Sequence, residues 1–160
     1  MTPDFPDDDV RLLTPEAFDF VLGNELKRAV GSQNCLTLVL LEPSIRGRSG
    51  DENGERDRAA REIARLIGPE VRETDLISHT GTGRLSVVLL DADADNSVSV
   101  IDRLMTRLER YEFAEPLVIG VGAASCPTHG SDLQSLCSAA KARQVHSRRA
   151  SGGEGSSQSE

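Results

Sequence analysis

The chain has 160 residues and a formal net charge of −8, with 18 Lys and Arg against 26 Asp and Glu. That length suits one domain able to bury a core without staples, and the acidic balance argues against non-specific binding to nucleic acid or an anionic membrane. No apolar run has membrane-spanning length and no signal peptide is recognisable, so the expected compartment is cytoplasmic.

In chain order, the first stretch carries Pro3, Pro6 and the aspartates Asp4, Asp7, Asp8 and Asp9, while the last ten residues hold no large apolar side chain. Neither can bury enough surface to offset ordering entropy, so residues 1–11 and 149–160 are expected to be disordered around a domain at 12–148. Thr14-Pro15-Glu16 reads as a helix start: a capping hydroxyl, proline at the first helical position and an acid in the first turn. Phe18, Val21, Leu22, Leu26 and Val30 follow at helical spacing, with Gly31 as the stop. Leu36 to Leu41 is a nearly continuous apolar run, expected as a strand covered on both faces and ended by Glu42 and Pro43.

Ser44 to Gly54 is polar and glycine-rich, hence a loop. A second helix is expected from about Asp57 to Ile67, with Ala60, Ile63, Ala64 and Ile67 inward and Arg58, Arg61 and Arg65 outward. Val71 to His79 and Leu85 to Leu90 flank Thr80-Gly81-Thr82-Gly83, the pattern of a hairpin. A third helix starts within Asp91–Asn96, its apolar face Val98, Ile101, Met105 and Leu108 and its other side Arg103, Arg107 and Arg110. Leu117 to Ala124 reads as another strand, and Ser131 with Gln134 forms a capping box for a last helix. The order α-β-α-β-β-α-β-α predicts an α/β (α+β) domain with a mixed central sheet and helices on both faces.

Arginine outnumbers lysine sixteen to two, and arginine is the better residue for bidentate contact with phosphate or a guanine edge. Cys35, Cys126 and Cys137, like His79, His129 and His146, are too scattered for a metal or redox motif. No cofactor is expected.

Together these pieces resemble the GGDEF domain of diguanylate cyclases, which make cyclic di-GMP from two GTP molecules. The resemblance runs over about residues 12 to 147 and rests on four stretches. These are Leu13 to Phe18 with Glu25 to Ala29, the strand Leu36 to Leu41, the hairpin, and Val121 to Gly130 followed by Leu133 to Ala139. It implies that two divalent cations would be held by two acidic signature positions and an acid ending the first strand. Gly83 and Arg84 occupy the signature positions here, and Glu42 alone occupies the third. The family's phenylalanine-lysine pair is replaced around Ser44-Ile45-Arg46-Gly47. Its tyrosine and lysine on the last helix become Gln144 and Ser147 or neighbours; Asp57 matches the partner of the guanine-reading residue. On this basis the chain is expected to be catalytically inactive, not an enzyme.

The resemblance also implies a second site. Cyclases of this family often carry an inhibitory RxxD motif before the hairpin turn, and Arg72-Glu73-Thr74-Asp75 stands at the family's spacing, six residues ahead of Gly81. A further family arginine from the next helix falls on Arg103. Cyclic di-GMP presents two phosphates and two guanines, usually bound here as an intercalated dimer. Arginines can fork onto either group, and Asp75 can accept from guanine N–H donors. The expectation is a cyclic di-GMP receptor acting through Arg72, Asp75 and Arg103, in a ligand-linked homodimer or through an output protein. The rivals are a ligand-free interaction scaffold, in which these are ordinary exposed charges, and residual GTP binding or turnover through Glu42 and Asp57.

Overall fold

The computed structural model describes residues 12–45, 54–80, 83–113, 116–143 and 146–150. The acidic opening, most of the loop after Ser44, Gly81 and Thr82 of the hairpin turn, Gln144 and the last ten residues lie outside them. The elements are β1 (Leu12–Leu13), α1 (Pro15–Ser32), β2 (Leu36–Ile45), α2 (Glu55–Ile67), a 3-10 turn (Gly68–Glu70), β3 (Leu76–Thr80), β4 (Arg84–Leu90), α3 (Ala94–Glu109), β5 (Leu117–Cys126), α4 (Leu133–Ala142) and β6 (His146–Ala150). The strands form one sheet in the order β1-β3-β4-β2-β5-β6. Only β1 and β3 run parallel, and every other pairing is antiparallel. This is the mixed sheet with helices on both faces that the sequence predicts.

The continuous apolar run of β2 has its reason in the layers. Leu36, Leu38 and Leu40 point to the face covered by α1 and α4, where Phe18, Leu22, Leu26, Leu136 and Ala140 are buried. Val39 and Leu41 point to the face under α2 and α3, among Ile63, Ile67, Leu104, Met105 and Leu108. Period-2 alternation sends successive side chains to opposite faces, so a strand with two dry faces must be apolar throughout. Each such Leu contributes about 1.5–3 kcal/mol by burial.

Several local expectations are corrected. Thr14 does cap α1, its Oγ1 accepting from Ala17 N at 3.1 Å. That helix nevertheless passes Gly31 and ends on Gln33, whose φ of 60° is left-handed. Pro43 does not end β2, because beyond Leu41 the strand pairs only with β5 and needs no donor on its other side. On α3, Val98 is exposed, whereas Leu104 and Ser97 are buried. Helix α4 is capped by Asp132, which accepts from Ser135 N at 2.7 Å, rather than by Ser131. The sequence reading has neither β1, two residues long, nor β6, whose Ser147-Arg148-Arg149 lacks an apolar alternation.

The turn joining β5 to α4 carries a titratable acceptor. His129 Nδ1 accepts from Ser125 N–H at 2.8 Å, and burial together with the Arg143 guanidinium lowers its pKa below the ordinary value. Protonation would put a proton on the accepting nitrogen. With the folded pKa depressed, the linked stability is present above about pH 6.5, the unfolded value, and is lost as pH falls through the folded pKa. We expect His129→Asn, which keeps an acceptor but cannot titrate, to lose less stability between pH 7 and 5 than the wild type in parallel urea melts. Equal losses would remove His129 from the account.

Candidate functional site

The chain leaves α2 through the 3-10 turn, crosses Val71, and turns again over Arg72–Asp75 before entering β3. Two reciprocal bonds close this second turn. Asp75 N–H donates to Arg72 O at 2.9 Å, and Arg72 N–H donates to the Asp75 carboxylate Oδ2 at 3.0 Å. The other carboxylate oxygen, Oδ1, accepts from Leu90 N–H at 3.0 Å, at the end of β4. Asp75 is 6% exposed, and its charge is matched by the Arg72 guanidinium, Nη2 lying 3.7 Å from Oδ1. The same Nη2 donates to Leu90 O. Arg72 itself keeps 60% of its side chain exposed, so an inward carboxylate orients an outward cation.

Arg103 approaches the same connection from α3. Its Nη2 donates to Glu70 O at 2.6 Å, and its Nε stands 3.4 Å from Glu70 Oε1. One helical turn on, Arg107 Nε lies 3.9 Å from Glu70 Oε2. The structure thus brings Arg72 and Asp75 together and sets Arg103 against Glu70, two residues upstream of Arg72. The sequence reading has no role for Glu70 and places Arg107 only on the side of α3 opposite its apolar face. The one available sign was an acid just ahead of the RxxD turn, and nothing in sequence ties it to residues on α3.

The opposite ends of β3 and β4 hold the hairpin turn. Leu41 pairs with Leu85, which sets Glu42 across from Arg84. Arg84 Nε donates to Glu42 Oε2 at 2.7 Å, with Nη2 2.5 Å from the same oxygen. Gly83, at φ +78°, lies against the first turn of α2, where Arg56 Nε donates to Pro43 O at 3.2 Å. His79 Nε2 faces Asp57 Oδ1 at 3.3 Å across β3 and α2. Among the described residues, no group of three or more His, Cys, Asp or Glu side chains could hold a metal ion, and the Glu42 carboxylate is spent on Arg84. The residues described do not fit a pair of divalent cations.

No family model matches the chain, and no curated protein matches it. Solved structures do. The GGDEF domain of YfiN (TpbB) from Pseudomonas aeruginosa superposes with a TM-score of 0.72 at 19% identity, over 86% of this chain and 85% of that one. The coiled coil and GGDEF domain of DgcB from Caulobacter crescentus, in complex with c-di-GMP, gives 0.68 at 16% identity, over 85% and 76%. The active GGEEF domain of a diguanylate cyclase from Vibrio cholerae gives 0.69 at 12% identity, over 83% and 88%. The fold is that of a GGDEF domain. These comparisons correct the expectation that the chain is not an enzyme, because the fold it shares is that of diguanylate cyclases, one of them an active domain. The expectation leaned on Gly83, Arg84 and Glu42, which are among the described residues, and on the loop after β2 and Gln144, which lie largely outside them. No helix among the described residues is long and apolar enough to cross a membrane.

Proposed function

We propose that this GGDEF-fold domain is a cytoplasmic receptor for cyclic di-GMP, which binds at Arg72, Asp75 and Arg103. What carries the reading is the pairing of a buried carboxylate with an exposed guanidinium, at 3.7 Å, on a turn whose preceding 3-10 turn meets Arg103 through Glu70. Such an arrangement fixes the arginine before the ligand arrives, which reduces the ordering cost of binding. Arg72 forks onto guanine O6 and N7 or onto a phosphate. Arg103 supplies the second cation. Asp75 orients Arg72 while its own oxygens accept the N–H groups of Arg72 and Leu90. A nucleotide bound as an intercalated dimer joins two chains or presents a surface to an output protein.

The rival is a ligand-free scaffold. It is favoured by the use of Asp75 in the turn itself and of Glu70 as a partner for Arg103. Calorimetry separates the two. Cyclic di-GMP is expected to bind with or without a chelator, and Arg72→Ala, which removes an interaction of about 1–3 kcal/mol, to bind roughly 5- to 150-fold more weakly. No heat with cyclic di-GMP or GTP would leave the scaffold standing. GTP supplied with a divalent cation, with product followed, tests turnover separately.

A further inference from the structure

Neither Glu70 nor Arg107 is given a ligand contact in the site proposed above, yet they complete its charge arrangement. Arg103 and Arg107 are four residues apart on α3 and so share a helix face. Their Nε atoms meet the two oxygens of one carboxylate, at 3.4 Å and 3.9 Å. Both distances are longer than a well-formed N–H···O bond, and all three side chains are part-exposed: 52% for Arg103, 49% for Arg107 and 28% for Glu70. These are loose, solvent-screened ion pairs, each contributing little. The bond that places Arg103 is a different one, from Nη2 to the backbone carbonyl of Glu70 at 2.6 Å. It does not depend on the Glu70 side chain. The carboxylate therefore neutralises the arginines without positioning Arg103.

From this geometry, and resting on the receptor reading, we infer that Glu70 is an internal competitor for the ligand's phosphate and that Arg107 is a further ligand-contacting residue. A carboxylate and a phosphate each offer arginine a pair of oxygens that its planar fork can bind bidentately. A phosphate approaching Arg103 and Arg107 displaces the Glu70 carboxylate, which is exposed enough to swing into water. Affinity is set by the difference between the two anions, so this chain binds more weakly than its arginines alone would allow.

The test is calorimetric titration of cyclic di-GMP into the wild type, Glu70→Gln, Arg107→Ala and the double variant, each first shown by a melting curve to be folded. Glu70→Gln keeps the backbone carbonyl and removes the charge, so binding is expected to tighten about three- to tenfold. Arg107→Ala is expected to weaken binding and to cancel most of that gain in the double variant. Should Glu70→Gln misfold, Glu70→Ala carries the same expectation. If the wild type binds and neither Glu70 variant binds more tightly, the competitor is refuted while the receptor stands. If Arg107→Ala binds as the wild type does, the added contact is refuted. If neither the wild type nor any Glu70 variant binds, the receptor reading and this inference fall together.

Discussion

Asp75→Ala is expected to lower the unfolding free energy by about 3–5 kcal/mol, because it strands the N–H groups of Arg72 and Leu90. Each donates to one Asp75 oxygen at 3.0 Å. A backbone donor left unpaired away from water costs about 1–3 kcal/mol, and the lost acceptor is charged. The guanidinium of Arg72 also loses its carboxylate partner but keeps its bond to Leu90 O, and at 60% exposure water compensates most of the loss. Asp75→Asn retains one oxygen and should cost roughly half as much. In urea, the alanine variant should show its midpoint lowered by roughly 2 M at an unchanged slope. A loss below about 1 kcal/mol would mean that this carboxylate does not tie the turn to β4. A folded Asp75→Asn protein that binds cyclic di-GMP poorly would separate the orientation of Arg72 from the stability of the turn.

That dual use of Asp75 marks how far the sequence could be read. The motif Arg72-x-x-Asp75 is local, so its position and spacing were visible. Its inward face was not, since the second acceptor contact depends on where β4 ends in space. The same distinction runs through the fold. Thr14 caps α1 through a contact three residues away, and the β2 run declares its burial on both faces by composition. By contrast, two acceptors stood side by side before α4, and only backbone geometry selects Asp132 over Ser131. Glu70 meets Arg103 across 33 residues of sequence, with no periodicity to announce the meeting. Strand β6 is polar because it lies at a sheet edge, and an edge needs no apolar pattern. The family resemblance supplied the architecture. It misled on enzyme status because identities at a few positions were set against a fold that diguanylate cyclases share.

The hairpin turn offers the other large effect. Gly83→Ala is expected to destabilise the protein by about 2–4 kcal/mol, from two causes that can be measured apart. The first is conformational: φ at Gly83 is +78°, and an L-residue held there costs about 1–2 kcal/mol. The second is steric. An added Cβ would stand 2.9 Å from Arg56 Cβ and 3.2 Å from the Arg56 carbonyl carbon and oxygen. None of these is the free end of a flexible side chain, so the start of α2 or the turn itself must move, at about 1–3 kcal/mol. Either movement disturbs the Arg56 bond to Pro43 O and the neighbouring Arg84–Glu42 pair. Gly54 provides the control. It too has a positive φ, +69°, but a Cβ there meets nothing within 4 Å. Gly54→Ala should therefore cost only the conformational part, a Tm shift of roughly 4–8 °C, against roughly 8–16 °C for Gly83→Ala. Equal shifts for the two variants would show that the turn can draw away from Arg56 without penalty, and that α2 does not lock the hairpin.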